Sequence, residues 1–148
     1  MRKNRLFLLI LFGVIACKKN DTPAAATQIK PAGTYSLIST TTGTATYDKS
    51  TFACITNNKI TVNLDGTYHA NYIGTDTCYV VKSSSEKTSI GTPGQPEVAG
   101  TYTQNDNTIY FKNQYGQFTG VISQKNGVTE IYVSGSNGNI NFINIFTK

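Results

Sequence analysis

The feature that most constrains this chain is a two-residue alternation of apolar and polar side chains. Ile60, Val62 and Leu64 alternate with Thr61 and Asn63, and Tyr68, Ala70 and Tyr72 alternate with Thr67, His69 and Asn71, across Asp65-Gly66. An extended chain points successive side chains to opposite faces, so this pattern reads as two half-buried strands. The same texture runs from about Gly33 to the end: rich in Thr, Tyr, Val and Ile, with turn residues every eight to twelve positions and no helical period sustained for two turns. Roughly eight or nine strands joined mostly by tight turns predict an all-β fold, a small antiparallel up-and-down barrel of about eight strands.

The 60–72 hairpin has two possible registers. A two-residue turn on Asp65-Gly66 sets Val62 opposite His69 and mixes the faces. A type I turn over residues 63–66 with Gly66 left-handed pairs Asn63 with Thr67, Val62 with Tyr68 and Ile60 with Ala70. The second gathers the apolar residues on one face and is preferred, at the cost of leaving Leu64 near the turn.

Elsewhere, residues 34–41 read as a first strand with Tyr35 and Leu37 on one face, continued by 44–47. Residues 52–55 read as a short strand and 78–82 as another. Residues 83–96 read as a long loop, either a lid over a binding mouth or a disordered insertion, with the second reading preferred. Two further hairpins follow, 100–112 around Asn105-Asp106-Asn107 and 117–134 around Lys125-Asn126-Gly127. The last strand is 139–146. Gly-Thr-Tyr recurs at Gly33, Gly66 and Gly100, which reads as strand-start chemistry because the flanks do not match.

The first seventeen residues set a location. Arg2, Lys3 and Arg5 precede an apolar run over 6–15, the layout of a secretory signal peptide and too short for a membrane-spanning helix. Val14-Ile15-Ala16-Cys17 resembles the lipobox of bacterial lipoproteins. The resemblance implies cleavage after Ala16, a diacylglycerol on Cys17 and usually a further acyl chain, such as palmitate, on the new amino terminus. Two or three chains anchor a protein almost permanently. Lys18 after the cysteine, instead of Asp, implies by the same resemblance an extracytoplasmic, outer-membrane location, on the periplasmic or the surface face. The expected organisation is a signal peptide over 1–16, a lipidated tether over 17–31 and a barrel domain over 32–148.

Cleavage would lower Lys+Arg from 13 to 10 against 8 Asp+Glu, leaving +2 and no arginine. Without the residue that forks onto phosphates and bases, nucleic acid is an unsuitable partner. Cys54 and Cys78 remain in an oxidising compartment, where a disulfide is the default. The preferred hairpin register, extended, brings them within two residues of each other on matching parity. Two free thiols or a metal pair are the alternatives, the latter short of donors with one histidine in the chain.

Gly33-Thr34-Tyr35, Cys54, Asp65-Gly66-Thr67, Cys78, Gly100-Thr101-Tyr102 and Asn107-Thr108-Ile109 occur in an order and spacing that resembles the lipocalin-like domains of bacterial lipoproteins. The resemblance spans nearly all of the mature domain. It departs from the family at Tyr35 and Tyr102, where tryptophan is usual. It implies a lipocalin-like barrel with a cavity, without specifying a ligand.

No catalytic constellation is readable, and an enzyme is disfavoured. His69 lies on the polar parity of its strand without a serine or cysteine partner nearby in sequence. Asp65 and Asp106 are explained by turns, and no cofactor or metal motif is present. The candidate ligand-binding set is the inward row of Tyr35, Leu37, Tyr68, Ala70, Tyr72, Tyr102, Ile109 and Phe111. It suits a small apolar or amphipathic ligand, although the same residues could simply form the core. The other reading is an interaction module holding an envelope protein partner. Ile143 and Ile145, opposite in parity to Ile140, Phe142 and Phe146, would supply its apolar surface.

Overall fold

The computed structural model describes residues 28–83, 86–137 and 139–148. The signal peptide, Cys17 and most of the tether lie outside the described residues. Eleven strands form: β1 (Gly33–Thr42), β2 (Ala45–Asp48), β3 (Asn58–Val62), β4 (Thr67–Tyr72), β5 (Cys78–Ser83), β6 (Glu86–Gly91), β7 (Val98–Asn105), β8 (Thr108–Asn113), β9 (Gly116–Lys125), β10 (Val128–Asn137) and β11 (Ile140–Thr147). Eight of them, β1, β3, β4, β7, β8, β9, β10 and β11, pair each with the next, and β11 returns to β1. The result is the expected closed, antiparallel, up-and-down barrel. Closure leaves these eight strands without a free edge, which removes the usual template for edge-to-edge association.

The β3–β4 hairpin takes the register that gathers its apolar side chains, with Ile60 opposite Ala70 and Val62 opposite Tyr68. Gly66 has φ +85°, Asn63 N–H donates to the Thr67 carbonyl, and Leu64 is left exposed at the turn. The side chain of Asp65 braces that turn, accepting from Thr67 N–H at 2.9 Å and Thr67 Oγ1 at 2.6 Å. Asn126 and Gly127, both with positive φ, turn β9 into β10 as a two-residue hairpin with Lys125 opposite Val128.

Three local expectations are corrected. Residues 45–48 do not prolong β1. The chain reverses at Gly43 (φ +60°) and β2 folds back, pairing Thr42 with Ala45. Residues 53–57 form a 3₁₀ helix in place of a strand. The carboxylate of Asp48 accepts the Ser50 and Thr51 N–H groups, and Phe52 N–H donates to the Asp48 carbonyl, so the chain is already winding there. Phe52 and Ile55, three apart, then share the face turned to the core. Finally, the 83–96 stretch is not one loop: β6 pairs antiparallel with β5, making a separate two-stranded hairpin between β4 and β7. Its low apolar content hid a strand that is covered only at its end, at Ile90 and Gly91.

Cys54 and Cys78 form the expected disulfide, Cα–Cα 5.6 Å. It ties the base of the β5–β6 hairpin to the 3₁₀ helix. Closing a loop of 24 residues is worth about 3–4 kcal/mol in the chain-entropy account. The last residues of the stretch read as tether lie on the barrel: Ile29 packs against the core, and its carbonyl accepts from Gln104 Nε2 at 2.7 Å.

Candidate functional site

The barrel has two unlike ends. One carries the β3–β4, β7–β8 and β9–β10 turns together with residues 28–32 and Lys148. The other carries the β1–β2, β8–β9 and β10–β11 turns and the β5–β6 hairpin. The strand alternation sends all eight candidate ligand-binding residues to the inner wall, but the two ends use them differently.

At the first end the lumen is filled. Tyr35, Val62, Ile109, Ile122 and Ile131 are at most 1% exposed. Tyr68 packs edge-on to Phe111 with ring centroids 4.9 Å apart, and Tyr102 lies 6.3 Å from the same ring. The tyrosine hydroxyls are engaged within the protein. Tyr35 donates to the Pro31 carbonyl at 2.8 Å, Tyr102 to the Asn63 carbonyl at 2.7 Å, and Tyr68 accepts from Asn113 Nδ2 at 2.8 Å. Burial pushes all three phenols up from their ordinary pKa, with Tyr102 pushing Tyr35 further and the Asp65 charge pushing Tyr102 further. These residues form a neutral, self-satisfied plug that closes the end.

At the other end the lumen opens. A cavity of about 330 Å³ is bordered by Leu37, Ala70, Tyr72, Val98 and Phe146, under a cover of Ile90, Gln95 and Pro96. A second space of about 310 Å³ adjoins it between β1 and β11, bordered by Thr42, Ile140 and Phe142. Thr40 and Asn144 border both. Of the predicted binding residues, therefore, Leu37, Ala70 and Tyr72 reach the cavity, whereas Tyr35, Tyr68, Tyr102, Ile109 and Phe111 belong to the plug and its packing.

The cover is seated on Tyr72. Its ring lies against Gly74 on one side and Gly91 on the other, so close that a side chain at either glycine would run into it, and its hydroxyl donates to the Asp76 carbonyl. Glycine is required at both positions for this approach, independently of backbone conformation.

Thr40 and Asn144 are the site residues that sequence reading missed. Asn144 was legible in principle, being a polar residue on the inward row of Ile140, Phe142 and Phe146. Thr40 was not. A bulge between Leu37 and Ser39 shifts the β1 pairing, so Leu37 and Thr40 both face inward although three positions apart.

His69 faces outward, as its parity predicts, with Nδ1 3.9 Å from Glu97 Oε1. Among the described residues, no three His, Cys, Asp or Glu side chains cluster as a metal site would require. The fold and site together define a small closed β-barrel with one filled end and one covered, open chamber. The chain matches no family model, no curated protein and no solved structure.

Proposed function

We propose that the protein is a lipid-anchored lipoprotein of the cell envelope, held in the outer membrane through Cys17, whose lipocalin-like barrel takes a small apolar or amphipathic ligand into its open half. The observation that carries the binding part is the chamber of about 330 Å³, walled by aliphatic and aromatic groups interspersed with Thr40, Asn58, Asn71 and Asn144, and covered by Ile90, Gln95 and Pro96. This volume lies at the lower end of the usual range for small-molecule sites. The lipobox supports the anchor. Residues 28–32 meet the barrel at its plugged end, opposite the chamber, which suits an anchor on that side.

Native mass spectrometry of the domain, purified from its own envelope without detergent, tests the binding. A stoichiometric extra mass released on denaturation is the expected result; a bare mass from folded material counts against a tightly held ligand. The mass of the amino-terminal peptide tests the anchor, with diacylglycerol on Cys17 expected.

A second reading rests on the outer wall. Val121, Tyr132 and Ile145 are directly paired across β9, β10 and β11 on the solvent side, and Ile143 is exposed beside them. Such a row favours an envelope protein partner. Crosslinking in intact cells from a photoreactive residue at position 132 tests it, with a single discrete adduct expected.

A further inference from the structure

The open chamber has a definite polar character. Thr40 is the one non-aromatic polar residue among those described that is buried, at 8% exposure. Its Oγ1 donates to Asn144 Oδ1 at 2.7 Å across the β1–β11 pair. The bond fixes the Asn144 amide: the carbonyl is turned to Thr40, and the two N–H groups of Nδ2 are left as donors, with no protein acceptor among the described residues. A primary amide whose donors meet only water at the chamber wall favours a ligand that brings an acceptor in place of that water.

Apart from Lys59 and the phenol of Tyr72, the chamber's border carries no ionisable side chain. Lys59 Nζ donates to Ser36 Oγ at 2.5 Å. Lys59 and Ser36 are paired on the parity opposite to inward Ile60, Tyr35 and Leu37, so the ammonium keeps its charge but is held to Ser36 on the outer wall. The Tyr72 hydroxyl is turned to the Asp76 carbonyl. A carboxylate or phosphate carried past Lys59 into this chamber would give up part of its hydration with no cation beside it. The Thr40–Asn144 pair also stands between the two spaces, so an acceptor bonded to it has apolar wall on either side: Leu37 and Phe146 in one direction, Ile140 and Phe142 in the other.

Building on the proposed ligand-binding role, we infer that the ligand is an uncharged molecule with a hydrogen-bond acceptor, such as an amide, ester or ketone carbonyl, set between apolar arms and bonded to Asn144 Nδ2. On the same inference an ionised fatty acid is the poorer ligand.

The test uses the exported whole chain carrying Cys17→Ala, which keeps it free of its own lipid. Three probes are measured by fluorescence and competition: N-phenyl-1-naphthylamine as a neutral apolar reporter, N-hexylhexanamide, and dodecanoate, which has the same twelve carbons with a terminal charge. The reporter is expected to bind, and the amide to displace it at pH 8 at least tenfold better than dodecanoate. Asn144→Leu is expected to weaken the amide about tenfold and the reporter, which takes no hydrogen bond from it, by a clearly smaller factor. Equal competition by amide and dodecanoate overturns the uncharged class and leaves barrel binding standing. Amide binding untouched by Asn144→Leu overturns the role of Asn144. No binding of any probe to folded protein overturns the ligand-binding reading itself, and this inference with it.

Discussion

The two ends of the barrel are built from one strand pattern and reach opposite outcomes. At the plugged end each inward tyrosine has its ring packed and its hydroxyl engaged: Tyr35 with Pro31, Tyr102 with Asn63, Tyr68 with Asn113. At the open end large inward residues such as Leu37 and Phe146 alternate with shorter ones, and Tyr72 is turned aside. Ala70, Val98 and Thr40 leave space, and Tyr72 lies against Gly74 and Gly91 under the hairpin. Alternation decides which residues face the lumen. Side-chain volume, and the backbone carbonyls that happen to lie within reach of a phenol, decide whether the lumen is filled.

The largest test of that contrast is a pair of truncations. Phe111→Ala, among the packed rings at the plugged end, should cost about 3–5 kcal/mol in urea unfolding, because it leaves a cavity in close-packed surroundings. Leu37→Ala removes a side chain that already borders open space, so its cost should fall near the lower bound for such changes, about 2 kcal/mol. Equal costs would mean that the open end is as tightly packed as the plugged one.

The disulfide separates the ends in another way. Cys54→Ala with Cys78→Ala should lower stability by about 3–4 kcal/mol through the released loop. Hydrogen exchange should rise most in β5 and β6, whose contacts with the rest are few, and least in β8 to β10. A uniform rise would show that the cover is cooperative with the whole barrel.

Much of this architecture was legible because a strand's two faces differ. The register at Ile60–Ala70 and Val62–Tyr68 followed from keeping apolar side chains on one face, and the turn chemistry of Gly66 and of Asn126-Gly127 agreed with it. β6 was not legible, because Glu86–Gly91 carries one large apolar residue, Ile90, and pairs only with β5. The 3₁₀ helix was missed because four residues such as Phe52-Ala53-Cys54-Ile55 suit a strand as well as a tight turn. The cavity was hidden for a different reason. Parity identifies the inner wall but not how far each side chain reaches across it, so five of the eight expected binding residues belong to the plug.

Gly91→Ala probes the seat of the cover. A methyl group there would meet the Tyr72 ring, so either the ring or the hairpin must move. Overpacking of this kind costs about 1–3 kcal/mol. The expected signature is local: loss of hairpin protection and faster ligand exchange, with the plug tyrosines unchanged by NMR. A large, global loss would place Tyr72 in the plug's cooperative unit.

The smallest effect concerns acid. Asp65 at the plugged end is held below the ordinary carboxylate pKa by the Thr67 hydroxyl and N–H, and Asp48 at the open end by the Ser50 hydroxyl and the Thr51 N–H. A carboxylate with a depressed folded pKa contributes stability above its unfolded value, near 3.9, and loses it as pH falls through the lower folded value. Stability should therefore be flat in these terms above about pH 5 and decline below pH 4. Asp65→Asn and Asp48→Asn should each flatten part of that decline, and both carboxylates lie at the surface, so each share is small. If the ends unfold together, the two variants act alike on one global transition. If Asp48→Asn alone alters early exchange of the 3₁₀ helix and β2, the open end loosens before the plug, and the comparison extends from packing to dynamics.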